Sequence, residues 1–160
     1  KPFDFENKYK PADNINKFNA GTPSVLSLIP VNTGLDLVLE AGITNIRNKS
    51  IELGEYLIKI INIELNKFDV KITSPIESKS RGSHITIQHN KAWKICKLLI
   101  KGDKNRKRII PDFRPKNNIR LGFSPLYVSF IDLYETVIAI KDILGNKEYL
   151  KIDDSKPEVT

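Results

Sequence analysis

Methionine is absent from this chain of 160 residues, and cysteine occurs once, at Cys96. A single cysteine permits no disulfide within the chain, which suits a reducing, cytoplasmic compartment. Cys96 lies in the apolar-rich stretch "AWKICKLLI", where a thiol behaves as a small buried hydrophobe rather than a nucleophile. No apolar run is long enough to span a membrane, and the N-terminus has no signal-peptide pattern. Histidine is scarce too, at two residues, His84 and His89, both read as surface histidines. They stand on opposite faces of an expected strand. The chain has no HExxH, CxxC, GxSxG, Walker or GxGxxG motif, and its carboxylates are scattered. Composition and spacing alone therefore read as a binding or accessory domain, not as a complete active site.

What is present suits one folded domain. Hydrophobic residues make up 40% and charged residues 28%. The net charge of +7 is concentrated between Lys91 and Arg108, where eight basic residues meet one acid, Asp103. Lys91, Lys94, Lys97 and Lys101 recur at helical spacing opposite Trp93, Ile95, Leu98 and Leu99. That is the wet face of an amphipathic helix. No zinc spacing, RNP-like aromatic motif or GXXG loop accompanies it, so no nucleic-acid partner is expected. The opening "KPFDFENKYKPADNINKF" is polar and aperiodic, and residue 1 is Lys. Residues 1–20 read as a connector from a larger missing domain, residues 21–146 as the domain itself, and residues 147–160 as a loose polar tail.

Thr22 and Pro23 read as a helix start, with threonine as the cap and proline at the first helical position. That helix is expected to reach about Glu40, with Pro30 kinking it and Gly42 ending it. A second helix should cover about Ile43–Phe68, with Ile46, Leu53, Leu57, Ile60 and Ile61 on one stripe. Strands are expected at "VKITS" (70–74), at "HITIQH" (84–89) with Ile85 and Ile87 on one face, and at "RIIPDFR" and "NIRLGF". A helix over about 91–100 separates the second and third strands. Ser129 and Asp132 form a capping box for a last helix ending near Gly145. The order implies an α+β fold, a small and mostly antiparallel sheet covered by helices.

Two places could bind something. The first is Gly21-Thr22, before a helix N-terminus whose free amides favour an anion; plain capping explains the same residues. The second is Arg120, which alternates with Ile119, Leu121 and Phe123 and has Gly122 beside it. An arginine with open space next to its fork suits a carboxylate. An exposed arginine on an edge strand explains the same pattern.

The ordered blocks "F-x-x-GTP-x-VLSL", "GLDL…EAGI-x-x-IR-x-KS-x-x-L", "TSP…RGSH", "DFR" and "IRLGFSPLY-x-SF" resemble the C-terminal part of the kynureninases. The resemblance runs from about Phe3 to about Leu144. It implies the small domain of a homodimeric fold type I enzyme dependent on pyridoxal 5'-phosphate. Such enzymes hydrolyse L-kynurenine, or 3-hydroxykynurenine, to anthranilate, or 3-hydroxyanthranilate, and L-alanine in tryptophan catabolism. The Schiff-base lysine would lie upstream in the large domain, so no catalytic residue is expected here and the piece alone should be inactive. By the resemblance, Thr22 contacts the cofactor phosphate across the dimer, Gly21 lies at the substrate edge of the same turn, and Arg120 grips the substrate α-carboxylate. Gly21-Thr22 looks like the bacterial version, which leans toward unhydroxylated kynurenine. The family usually places a residue between the "DFR" arginine and the following proline; here Pro115 follows Arg114 directly. The alternative reading is a non-catalytic basic module that binds acidic ligands.

Overall fold

A computed structural model describes residues 7–19, 21, 22, 24–104 and 106–155. The chain divides into two compact units, Lys1–Glu40 and Ala41–Thr160.

The first unit holds a short 3-10 turn, Ile15–Phe18, and nearly all of helix α1, Val25–Ala41. The helix starts later than the sequence suggests. Leu28 N–H donates to the Ser24 carbonyl at 3.1 Å, which puts the N-cap position at Ser24 and leaves Thr22 outside the helix. Pro23, expected at the first helical position, lies outside the described residues. Pro30 falls inside α1 and has no N–H to return to the preceding turn. No residue of α1 is buried, although Val25, Leu26, Leu28, Ile29, Leu35 and Leu39 are apolar. Gly42 ends α1 with φ 77°, a backbone conformation that glycine adopts without steric cost.

In the second unit, α2 runs Ile43–Glu64 and buries Leu53, Leu57, Ile60 and Ile61, the stripe the spacing marks out, while Ile46 is half-buried. Strand β1 is Lys71–Ile72, β2 is His84–Gln88, β3 is Asp112–Arg114 and β4 is Asn118–Gly122. Helix α3, Ala92–Lys101, lies between β2 and β3 in the chain, and α4, Phe130–Gly145, follows β4. The strands form one antiparallel sheet in the order β1-β2-β4-β3. Ile85, Ile87, Ile119 and Leu121 are buried on one face together with side chains of α2, α3 and α4. The fold is therefore α+β, with three helices on one side of a small antiparallel sheet. The capping box of α4 is complete. Ser129 Oγ accepts from Asp132 N–H at 3.2 Å, and Asp132 Oδ2 accepts from Ser129 N–H at 2.9 Å. No single helix among the described residues is long and apolar enough to cross a membrane.

Two further expectations need correction. The segment after α4 is not loose as far as Ser155. Tyr149 and Ile152 pack against the core, the Asp153 carboxylate pairs with Lys97, and the Asp154 carboxylate meets Lys94 at 3.1 Å. Trp93 Nε1 donates to the Ser155 carbonyl at 2.8 Å. His89 is a core residue rather than a surface one, only 8% exposed, and its Nδ1 accepts from Lys91 N–H at 3.0 Å.

Burial lowers the His89 pKa below its ordinary value of 6.5; Asp69 opposes the shift and Lys91 adds to it. A histidine that is harder to protonate when folded keeps its contribution above the unfolded pKa. It loses that contribution as pH falls below 6.5, because the unfolded chain then takes up the proton first. The slope is at most about 1.4 kcal/mol per pH unit for one proton. His89→Asn keeps an acceptor without the titration, so it should flatten the fall in stability between neutral pH and the folded-state pKa. Denaturant unfolding at stepped pH measures this.

Gly102 ends α3 with φ 61° and ψ −175°, a region essentially closed to other residues. A Cβ there would stand 3.1 Å from the Arg106 carbonyl oxygen and 3.2 Å from the Arg108 nitrogen. Gly102→Ala should cost about 1–3 kcal/mol, read as a lower denaturation midpoint with an unchanged slope.

Candidate functional site

The face of the sheet turned away from the helices is polar, and pleating decides what stands on it. In β4, Ile119 and Leu121 go to the core, so Asn118, Arg120 and Gly122 go to the other side. Antiparallel pairing places Thr86 and Asp112 on either side of Arg120, and His84 opposite Gly122. β4 has a hydrogen-bonded neighbour on both sides, so the reading of Arg120 as an edge-strand arginine does not hold.

The Arg120 side chain is 39% exposed, and its Nη2 donates to Asp112 Oδ2 at 2.5 Å. The same oxygen accepts from Arg114 Nε and Nη2, each at 2.8 Å. A Cβ built on Gly122 would meet nothing within 4 Å, so the space beside Arg120 is open. The guanidinium thus already holds one carboxylate oxygen and stands next to room for another. Asp112 and Arg114 were not singled out from sequence as site residues. The available signal was the period of "DFR", in which Phe113 points inward and its two charged neighbours outward.

The other candidate residues, Gly21 and Thr22, belong to the first unit. Gly21 has φ 90° and open space where a Cβ would be, and both residues are exposed. An exposed hydroxyl beside a backbone that a ligand can approach closely fits one arm of a phosphate site.

Sequence blocks far apart in the chain meet in the second unit. Ser50 and Ser83 share a hydrogen bond of 2.8 Å. Arg47 Nη2 donates to the Ser78 carbonyl at 2.5 Å and Nη1 to that of Arg81 at 3.3 Å. "IR-x-KS" on α2 thereby fastens the loop that leads into "RGSH". Among the described residues no His, Cys, Asp and Glu group could hold a metal ion. Cys96 is buried, and burial pushes its thiol up to about 12, with Asp112 adding to the shift, so it is no nucleophile.

Among the described residues half of the basic stretch is paired. Besides Lys94 and Lys97, Arg106 meets Glu148 and Asp103 at 3.0 Å each, and Lys107 meets Glu135 at 2.7 Å. Lys94, Lys97, Arg106 and Lys107 thus face acids of this same chain, which weakens the case for a module that binds acidic ligands through this stretch.

The kynureninase C-terminal domain family matches residues 46–140. This chain belongs to that family. It is 35% identical to a kynureninase of Bacillus cereus (strain ATCC 14579) over 159 residues, which is 99% of this chain and 36% of that protein. A kynureninase of Geobacillus thermodenitrificans is 36% identical and one of Shouchella clausii 35% identical, with the same coverage. The chain therefore spans about a third of the length of these relatives, and the family's match takes in most of α2, the whole sheet, α3 and most of α4.

Proposed function

We propose that this chain is the substrate-carboxylate-binding small domain of a homodimeric, cytoplasmic kynureninase dependent on pyridoxal phosphate. The reaction is the hydrolysis of L-kynurenine, or its 3-hydroxy form, to the corresponding anthranilate and L-alanine. The observation that carries the reading is Arg120, an inner-strand guanidinium on the sheet face opposite α2, α3 and α4, with open space at Gly122. The family supplies the activity; Arg120 supplies a reason for this domain to take part in it.

When bound, the cofactor supplies an electron-withdrawing ring that lets the Cβ–Cγ bond of the substrate break as water adds to the side-chain ketone. This chain's own residues bind and orient. Arg120 holds the α-carboxylate by a charge-assisted fork, which fixes the amino acid end of the substrate while the ketone end reacts. Gly122 leaves room for that carboxylate. Across the dimer, the Thr22 hydroxyl would donate to a phosphate oxygen of the partner subunit's cofactor, and Gly21 would keep the approach clear. No residue of this chain is assigned a proton-transfer role.

In the full-length enzyme, Arg120→Lys keeps the charge but loses the fork. Fold and bound cofactor should persist, while kcat/KM for kynurenine falls by about 2–4 kcal/mol in transition-state binding. The loss should shrink for an analogue lacking the α-carboxylate. Equal losses with both substrates would make Arg120 structural and overturn the proposal.

Thr22 stands outside α1, so its substitution does not remove the helix cap. Thr22→Ala should leave thermal unfolding of the cofactor-free enzyme unchanged and lower the melting temperature only with cofactor bound. Paired melting curves with and without pyridoxal phosphate decide it, and equal shifts would remove the phosphate contact.

A further inference from the structure

The open face carries a carboxylate of its own, and the backbone fixes where it stands. Asp112 lies directly opposite Arg120 in the β3–β4 register. Its neighbour Phe113 packs inward, ring edge against Trp93 at 5.2 Å between centroids, which anchors β3 on the core side. Asp112 Oδ2 then accepts from Arg120 Nη2 on one side and from Arg114 on the other. Among the described residues Nη2 is the only nitrogen of Arg120 that is engaged, which leaves Nε and Nη1 for a ligand.

We propose that Asp112 is a positioning residue for carboxylate recognition, holding one corner of the Arg120 guanidinium so that the rest of the fork is presented beside Gly122. An arginine on a flexible stem loses rotamer freedom when it binds; one already tethered at Nη2 loses less. The charges also match. Two guanidinium groups and one carboxylate leave a single net positive charge, which suits one incoming carboxylate. Arg114 takes part by holding Asp112 from the far side, so that Asp112 does not have to choose between facing Arg120 and facing solvent. This inference rests on the assignment of Arg120 to the substrate carboxylate.

The test uses the full-length enzyme with two substrates, kynurenine and an analogue lacking the α-carboxylate, and measures KM and kcat separately. Asp112→Asn keeps the shape and removes the charged acceptor. It should lower kcat/KM for kynurenine about tenfold or more, chiefly through KM, and leave the analogue nearly unaffected. Circular dichroism and the cofactor's visible absorbance should be unchanged. Calorimetric binding of the two compounds should show the same selectivity without turnover. On an Arg120→Lys background, Asp112→Asn should add little, because the group it positions is gone. If Asp112→Asn does not fold, Asp112→Glu is measured instead, and the same selective loss is expected. If Arg120→Lys discriminates between the two substrates and the Asp112 variants do not, Asp112 is structural and only this inference falls. If Arg120→Lys itself does not discriminate, the assignment of Arg120 falls and this inference with it.

Discussion

Ile119 and Leu121 are almost wholly buried, and a strand that buries alternate residues has no freedom over the residues between them. A slip of β4 by one position would turn Arg120 into the core and put two apolar side chains into solvent. The apolar packing of α2, α3 and α4 against the sheet thereby fixes a charged group that it never touches. The same constraint acts on β3, where Phe113 is the inward residue and Asp112 and Arg114 must face out. A hydrophobic core of ordinary composition is enough to line up two guanidinium groups within reach of one carboxylate oxygen.

The basic excess of the chain invites a reading in terms of acidic partners, and local geometry argues against it. Lysines on α3 are met by aspartates from the segment after α4, and Arg106 is met by Glu148 in the same region. Exposed pairs of this kind add little stability. Here they lay the C-terminal segment along α3, and each pair cancels part of the positive charge of that surface. Lys97 holds the Asp153 carboxyl below its usual range, with Ser155 contributing, as expected for an anion with two donors.

Much of the fold was legible from sequence because it rests on local rules. Gly42 ends a helix through its positive φ, Ser129 and Asp132 cap one through reciprocal bonds, and the alternation in "HITIQ" and "NIRLG" marks the buried face. The family blocks were legible as well. What escaped depends on partners distant in sequence. His89 looks like any polar residue at a strand end until the 3-10 turn Glu148–Lys151 brings Tyr149 to within 6.3 Å, centroid to centroid. The last turn of the described chain looks polar and therefore loose, yet it finds Trp93 and two lysines. Thr22 has the chemistry of a cap, yet the helix starts two residues on, at Ser24, whose carbonyl accepts from Leu28 N–H. Asp112 was hidden because its significance lies in cross-strand register, which no single stretch contains.

Cys96 has a practical consequence. The sequence has no other cysteine and no methionine, and the one thiol is buried and protonated far above neutral pH. Sulfur chemistry on this chain is therefore silent under conditions that modify ordinary surface thiols. A cysteine introduced on the exposed side of the sheet would be the one reactive handle on an otherwise inert background. A fluorophore or spin label placed there would report on that face with no need to mutate Cys96.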